Sequence, residues 1–361
     1  MNANRIDPAL RQEFAALAKR KGLLPVSVTP HYQALIAAEA AALGGTPGPL
    51  YKVAYPTQER LALQAPGEVP DFVHDHANMP AELPHTVIQK YPNRVLFLIT
   101  EQCNGHCMYC FRQQVLLDQG QRQDLPTKIR GLIDYVRQRP AVEEVIFSGG
   151  DPLTVPLPDL EHAFAQIRAH TQVRHIRVHT RQLAYQPEVF TEDLCRVFRA
   201  YDVRLVFHIV HPYELDAPVL AALERIQSYR LRCYNQCPLL RGVNDHEQVL
   251  ARLLLALDEC RIRPLSFFIA DPIVYGASFR IPLARIFAIM NALNWQTGSW
   301  LNAVRLVLDT PIGKVRREDL IAWDRAQGLI TFEREGKRVI YPDFPKELDI
   351  PGEIANLLWK S

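Results

Sequence analysis

Three cysteines crowd into eight residues of this chain, as Cys103, Cys107 and Cys110 in the spacing CxxxCxxC. Thiolates in that spacing can bind three irons of a cubane [4Fe–4S] cluster, and the fourth iron then stays open to a chelating small molecule. A cluster that only carries electrons normally has a fourth cysteine ligand. The other four cysteines are scattered, so the loop predicts a catalytic iron–sulfur cluster rather than a disulfide framework.

Other interpretations of this loop stay open at this point. A zinc ion prefers four ligands, and His106 would have to supply the fourth from inside the loop. The chain would then be a non-catalytic module that binds zinc, or an iron–sulfur cluster, for structure alone. A third interpretation is three buried thiols without a common ligand, although free cysteines rarely cluster in a loop without a chemical role.

The elements that must position the loop follow a regular pattern. From Arg94 onward, short β-branched and aromatic runs alternate with longer segments of helical period, which is typical of βα units wound into an open barrel. The chemistry of such barrels lies at the C-terminal ends of the strands. We predict six parallel strands at 95–100, 144–148, 175–180, 204–209, 232–237 and 265–270, with helices at 128–137, 157–169, 192–200, 218–228, 247–260 and 283–293. A further strand at 304–308 and a hairpin at 330–341, turning at Glu335 and Gly336, follow the barrel.

The pattern divides the chain into an N-terminal helical segment (1–85), a partial barrel (86–300) and a C-terminal extension (301–361). Hydrophobic residues make up 48% and charged residues 22%, an ordinary globular composition. The net charge of +2 gives no field that would attract nucleic acid. The N-terminus lacks a signal-like apolar core, and no apolar stretch approaches the roughly 20 residues of a membrane span. We therefore expect a cytoplasmic protein without a membrane or nucleic-acid partner.

The cysteine spacing, the tyrosine before Cys110 and the barrel pattern together resemble the radical S-adenosylmethionine (SAM) superfamily, in which SAM chelates the open iron. The fold expected from this resemblance is an α/β partial (β/α)6 radical SAM barrel. Glycines at a strand end let a ligand approach the backbone closely. The predicted SAM-binding residues are Gly149, Gly150 and Asp151 after the second strand, and His208, His211 and Gln236 near the ends of the fourth and fifth strands. Taken singly, each histidine fits a hydrogen-bonded core position better than a binding role, and their shared position at the rim favours the SAM pocket.

Residues 84–314 resemble, more narrowly, the lysine 2,3-aminomutase family. The similar stretches begin at Tyr91, His208, Asn235 and Ala270 and keep the same order along the chain. In that family a lysine after a glycine-rich turn holds pyridoxal 5′-phosphate (PLP), and Lys314 after Gly313 occupies that place. The resemblance further implies that Arg94 and Tyr91 contact the PLP phosphate, since guanidinium geometry suits phosphate oxygens. The alternative for Lys314 is a surface lysine after a turn.

The same resemblance assigns the substrate contacts. Arg112 would bind the substrate carboxylate, and Asp271 and Asp309 would hold a distal ammonium group. Two carboxylates in a partly desolvated cavity repel each other unless a cation lies between them, so this pair favours a basic amino acid. The alternative for both aspartates is a cap on a local turn.

The function implied by the resemblance is a PLP-dependent 2,3-aminomutase, an isomerase that uses a SAM-derived radical to move the α-amino group of a lysine-like amino acid to the β carbon. A related enzyme that makes β-lysine for translation-factor modification, or that performs another radical transformation of an amino acid, is the alternative. An electron donor such as flavodoxin or ferredoxin and a homo-oligomer are the expected partners. Lysine mutases carry C-terminal cysteines that bind structural zinc, whereas this chain has no cysteine after Cys260, so we expect its subunit assembly to differ.

Overall fold

The computed structural model of the protein describes residues 8–118, 120, 123–301 and 303–360. Its main sheet has eight strands that neighbour one another in chain order. These strands are β1 (Val87–Tyr91), β2 (Arg94–Thr100), β3 (Glu144–Gly149), β4 (His175–Thr180), β5 (Val203–Phe207), β6 (Arg232–Leu239), β7 (Arg263–Ile269) and β8 (Arg305–Val307). Strand β1 is antiparallel to β2, and every later strand is parallel to the one before it. The six predicted parallel strands and the further strand near 304–308 are confirmed.

Helices connect the parallel strands and cover the outer face of the sheet. The helices of the described residues are α1 (Pro8–Lys21), α2 (Pro30–Ala42), α3 (Pro49–Ala54), α4 (Gln58–Ala62), α5 (Gln113–Leu117), α6 (Leu125–Arg137), α7 (Leu157–His170), α8 (Gln182–Tyr185), α9 (Glu192–Ala200), α10 (Ala217–Ser228), α11 (Glu247–Glu259), α12 (Leu283–Gln296) and α13 (Ile354–Leu357). Several begin at a side-chain cap: Asp124 accepts from the Thr127 N–H over 2.8 Å, and Thr191 from the Leu194 N–H over 3.2 Å. The predicted α/β partial barrel is confirmed. None of the helices within the described ranges combines the length and apolar character needed to cross a bilayer.

Two strands escaped the sequence pattern. Strand β1 has the sequence Val-Ile-Gln-Lys-Tyr, whose polar residues interrupt the hydrophobic run. Strand β9 (Leu320–Asp324) is largely exposed and forms one edge of a second, three-stranded sheet. The other two strands of that sheet, β10 (Leu329–Arg334) and β11 (Lys337–Pro342), form the predicted hairpin.

The C-terminal tail packs against the barrel. The Nε2 atom of His211 lies 3.1 Å from the carbonyl oxygen of Leu357, and the Tyr213 hydroxyl donates to the carbonyl of Lys360 over 2.9 Å. His211 is fully buried, and its Nδ1 atom accepts from the Tyr213 N–H over 3.2 Å. Both ring nitrogens of His211 are therefore used in structural contacts, which corresponds to its alternative as a core histidine.

Candidate active site

The N-terminal segment supports the backbone of the cysteine loop, which follows β2. The His106 N–H donates to the carbonyl of Ser27, and the Met108 N–H to the carbonyl of Val53, each over 2.8 Å. On the other side, the Tyr185 hydroxyl lies 3.4 Å from the Sγ of Cys107. The loop is thus held between the helical segment and the barrel, with its thiols facing the barrel mouth.

All three thiols of the loop are free and half-buried. Burial, followed by the neighbouring Cys107, raises the pKa of Cys110 to about 12, and Arg112 and Arg60 oppose this rise. Within the described part of the chain, no three Cys, His, Asp or Glu side chains lie close enough to hold one metal ion. In a cubane each thiolate binds a different iron, so its ligands are spaced more widely than those of a single zinc ion. The three cysteines share one cavity wall, where each thiol can bind a different iron of one cluster.

The strand end after β3 meets the cysteine loop so closely that only glycine fits. Gly149 has φ of +107°, and a Cβ on Gly150 would lie 2.2 Å from the carbonyl oxygen of Gln102. The Gly150 N–H donates to the carbonyl of Thr100 over 2.7 Å. The two glycines therefore set the distance between the cysteine loop and the second strand end.

The carboxylate of Asp151 accepts hydrogen bonds from neighbouring groups of the protein. Its carboxylate accepts from the Thr180 hydroxyl, from the Arg181 N–H over 2.8 Å and from the Leu153 N–H over 3.1 Å. Burial raises its pKa to about 6 against these hydrogen bonds. Asp151 thus fixes the ends of β3 and β4 beside the predicted SAM position.

One cavity of about 310 Å³ at the C-terminal ends of the strands brings the predicted site residues together. Its wall contains Cys103, Cys107, Cys110, Gly149, Gly150, Asp151, His208, Gln236, Tyr91, Arg94, Arg112, Asp271, Asp309 and Lys314. His211 is absent from that wall. The cavity therefore joins the predicted cluster ligands to the predicted SAM, PLP and substrate residues in a single space.

Lys314 is a buried lysine of this cavity rather than a surface residue. Its backbone N–H donates to the Tyr91 hydroxyl over 2.7 Å, and its Nζ lies 4.8 Å from the centre of the Phe268 ring. Gly313 before it has φ of +97°, and a Cβ there would lie 3.0 Å from the Tyr91 hydroxyl. Burial lowers the pKa of Lys314, against the opposing effect of Asp309. The turn therefore brings to the cavity an amine that loses its proton more readily than that of an exposed lysine.

Tyr91 also organises the predicted phosphate contact. The guanidinium carbon of Arg94 lies 3.5 Å from the centre of the Tyr91 ring, and Arg94 donates to the Asn93 side chain over 3.0 Å. Arg94 and Lys314 thus contact the same tyrosine, one through its ring and the other through its hydroxyl.

Asp271 carries an unused acceptor in the cavity. Among the described residues, its Oδ1 atom is buried and has no hydrogen-bond partner. Burial, followed by the nearby Asp309, raises its pKa well above the usual range. Asp309 accepts from the Thr310 N–H over 3.1 Å. Asp271 therefore has no hydrogen-bonded cation beside its Oδ1 atom among the described residues.

Sequence reasoning missed a carboxylate that binds Arg112. The Nε of Arg112 donates to the Oδ2 of Asp75 over 2.8 Å, and the Nζ of Lys90 lies 3.2 Å from the Oδ1 of the same residue. The Nη1 of Arg112 donates to the Ser148 hydroxyl over 3.2 Å. Asp75 lies in an irregular stretch before β1, where no local pattern marks it as a site residue.

A second histidine also lines the cavity. His179 and His208 meet edge to face with their centres 5.4 Å apart, and the buried Nε2 atom of each has no hydrogen-bond partner in the described ranges. Burial lowers the pKa of His208 to about 3, so its imidazole is neutral at physiological pH. Arg177 and His179 alternate along β4, so they share one face of the strand. That alternation was the sequence signal that could have placed His179 in the cavity.

Comparison with known proteins identifies the family of the chain. A sequence profile of the radical SAM superfamily matches residues 97–254. The L-lysine 2,3-aminomutase of Clostridium subterminale is 31% identical over 309 residues, covering 85% of this chain and 71% of that protein. The chain belongs to the lysine 2,3-aminomutase family. A putative L-lysine 2,3-aminomutase of Aquifex aeolicus is 29% identical over 309 residues, covering 84% of this chain and 80% of that one. A solved radical SAM methyltransferase from Sphaerobacter thermophilus aligns with a TM-score of 0.47 and 15% identity, covering 63% of this chain and 72% of that chain.

Membership in the lysine 2,3-aminomutase family makes this protein a radical SAM enzyme of the aminomutase type, which is an isomerase. It uses a [4Fe–4S] cluster and SAM. Cys103, Cys107 and Cys110 remain the predicted ligands of that cluster. The PLP requirement and the substrate are treated below as proposals.

Proposed function

We propose that this enzyme is a PLP-dependent 2,3-aminomutase that acts on a basic, lysine-like amino acid. The observation that carries the proposal is the position of Lys314, which is buried in the same cavity as the cysteine loop and the pair Asp271 and Asp309. That cavity offers an amine, an anion-binding face and a pair of carboxylates in one space. The α-carboxylate of a lysine-like amino acid matches the anion-binding face, and its side-chain ammonium matches the pair of carboxylates.

When bound, the reduced cluster with SAM supplies a hydrogen-abstracting radical, and PLP supplies a π-system that stabilises the substrate radical while nitrogen moves. In the proposal, Lys314 holds PLP through its amino group, and Arg94 binds the phosphate with its guanidinium while it rests on the Tyr91 ring. His208 and Gln236 line the SAM side of the cavity. Because His208 is neutral at physiological pH, it is available as a hydrogen-bonding group without an added positive charge.

The substrate would lie between two oppositely charged walls. Arg112, held by Asp75, faces the α-carboxylate, while Asp271 and Asp309 face the distal ammonium. The unused Oδ1 of Asp271 supports this assignment, because a buried acceptor without a partner is costly and an ammonium donor would satisfy it.

The remaining wall of the cavity is apolar, and it includes Ile88, Leu96 and Phe268. A radical must be kept away from water and from other hydrogen donors, and apolar walls serve that purpose. The role of the chain in this proposal is therefore to hold the reactants in reacting geometry and to exclude solvent, rather than to supply an acid or a base.

The decisive experiment is an assay of the anaerobically reconstituted enzyme with SAM, PLP, a low-potential reductant and a panel of amino acids. We expect a β-amino isomer from L-lysine or another basic amino acid, and none from L-glutamate or L-alanine. If no basic amino acid yields a β-isomer, the substrate proposal is wrong. If turnover of a basic amino acid proceeds equally well without PLP, the cofactor proposal is wrong.

A further inference from the structure

Arg60, on the short helix α4, is a buried cation without a buried counter-ion. Arg60 is 3% exposed. Its Nε and Nη1 atoms are buried and have no hydrogen-bond partner in the described ranges. No ion pair within 4 Å joins it to a carboxylate among the described residues. Burying a charged group without an ion-pair partner is strongly unfavourable. Among the described residues, the rings of Phe14 and Phe279, 5.7 and 5.9 Å from the guanidinium carbon, offset only part of that cost.

Contacts with aromatic rings connect Arg60 to the cysteine loop. Its guanidinium carbon lies 5.9 Å from the centre of the Phe279 ring, which is part of the cavity wall. The Phe279 ring packs edge on against Tyr109, the residue before Cys110, at 5.8 Å. Burial lowers the pKa of Arg60 to about 10, and among charged groups Cys110 opposes this most, ahead of Glu68. Arg60 packs on Phe279 and Phe279 packs on Tyr109, so one aromatic ring separates Arg60 from the cysteine loop.

Glu68 does not provide the missing partner. Its Oε2 atom accepts from the Tyr275 N–H over 3.2 Å, while its Oε1 atom has no hydrogen-bond partner among the described residues. Arg60 and Glu68 are thus near each other without a hydrogen bond. Among the described residues, the other group near Arg60 that can carry negative charge is Cys110, as a predicted ligand of the cluster that the enzyme uses.

We propose that Arg60 is a positioning residue of the iron–sulfur centre, whose unpaired guanidinium stabilises the reduced cluster and so raises its midpoint potential. Reduction moves one electron from a low-potential one-electron donor to the oxidised cluster, [4Fe–4S]²⁺ to [4Fe–4S]⁺, and no bond is broken. This adds one negative charge beside a buried cation. In a low-dielectric environment such a charge interacts strongly and favours the reduced state.

Lys52 offers a matched control in the same environment. Its Nζ lies 5.5 Å from the centre of the same Phe279 ring, but it is ion-paired with Glu59 at 2.9 Å. Glu59 also binds Arg241 over 2.7 Å, so Lys52 belongs to an ion-pair network, whereas Arg60 has no such carboxylate. A cation inside such a network should affect the cluster less than an unpaired one. The comparison of Arg60 with Lys52 thus separates a specific electrostatic effect from a general effect of removing a buried cation.

The test is a reductive titration of the reconstituted cluster with dithionite and mediators, followed by electron paramagnetic resonance of the reduced state. It needs no PLP or amino acid, so it stands even if the proposed function fails. For Arg60→Met we expect the ratio of reduced to oxidised cluster at a fixed potential to fall about tenfold, equivalent to a one-electron shift of about 59 mV. Arg60→Lys and Lys52→Met should remain near the wild-type potential.

The outcomes are distinct. A wild-type potential in Arg60→Met with full iron content would overturn the proposal, as would an equal shift in Lys52→Met. If Arg60→Met does not fold or does not bind iron, the pair Arg60→Gln and Arg60→Lys replaces it. A lower potential in the glutamine variant alone then supports the proposal, and equal potentials in the two variants contradict it.

Discussion

Arg112 is bound by Asp75 inside the cavity that it shares with the cysteine loop, with Nε and Oδ2 separated by 2.8 Å. The second oxygen of Asp75 faces Lys90. Burial by itself would raise the pKa of Asp75, but Arg112 and Lys90 outweigh it, and the net pKa is lowered. One carboxylate therefore orients two cations of the cavity wall.

Asp75→Asn should destabilise the fold and weaken substrate binding. Removing one partner of a buried ion pair leaves the other charges uncompensated, so the free energy of unfolding should fall by about 3 kcal/mol, measured by urea denaturation. The KM for the amino acid should rise more than kcat falls. As a control, Asp193→Asn removes an exposed partner of Arg196, where we expect less than about 1 kcal/mol. Equal losses in the two variants would contradict a special role for Asp75.

The sequence predicts those parts of the molecule that are encoded locally. The strands from β2 to β8 are short β-branched and aromatic runs between helices with clear caps, and their order follows from the crossover rule. The residues at strand ends, such as Asp271 and the glycines before Asp151, could be placed because the barrel brings all strand ends to one rim. These positions lie in the cavity as expected.

The missed residues are placed by tertiary contacts instead. Asp75 lies in an irregular stretch, and Lys90 lies on β1, whose polar sequence does not look like a strand. Arg60 belongs to a five-residue helix, too short to form without packing. The positions of these residues depend on how the N-terminal segment folds over the barrel mouth. That packing leaves no hydrophobic period of 2 or 3.6 residues in the sequence.

Lys314→Ala should abolish the visible absorbance of protein-bound PLP. Because burial lowers the pKa of Lys314 against the effect of Asp309, more of its amine is neutral at pH 8 than for an exposed lysine, and this favours attack on an aldehyde. The control is Lys90→Ala, which removes another lysine of the same cavity, one that is paired with Asp75. Loss of absorbance in the Lys90 variant and retention in the Lys314 variant would show that the lysine assignment is wrong.

Buried histidines should make the fold sensitive to acid. Burial lowers the pKa of His208 and of His211 to about 3, whereas an unfolded histidine binds a proton near pH 6.5. The folded state therefore binds fewer protons, and stability is lost as the pH falls from about 6.5 toward 3, by up to about 1.4 kcal/mol per pH unit for each histidine. His208→Gln should reduce the slope of unfolding free energy against pH, and His162→Gln, at an exposed position of α7, should not. An unchanged slope for His208→Gln would mean that the folded and unfolded states bind the proton of this residue equally well, which would contradict the lowered pKa.

Asp271→Asn should make the folded protein more stable and the enzyme less active. Because burial and Asp309 raise the pKa of Asp271, the ligand-free folded state keeps this proton to a higher pH than the unfolded chain does. The stability associated with this residue is therefore lost as the pH rises from about 4 through the raised pKa. Asparagine resembles the protonated side chain, so the variant should gain stability over the wild type at pH 8, at about 1.4 kcal/mol per unit of pKa difference, and little at pH 4.

Catalysis should change in the opposite direction. With L-lysine we expect kcat/KM to fall about 100-fold, or ~2.7 kcal/mol, because the substrate ammonium loses a buried charged acceptor. With L-norleucine, which lacks that ammonium, the variant and the wild type should differ far less. In the wild type, KM for L-lysine should also fall as the pH rises, because Asp271 must release its proton before it can bind the ammonium, and this dependence should be absent from the variant. A wild-type preference for lysine over norleucine in Asp271→Asn would rule out this carboxylate as the ammonium site.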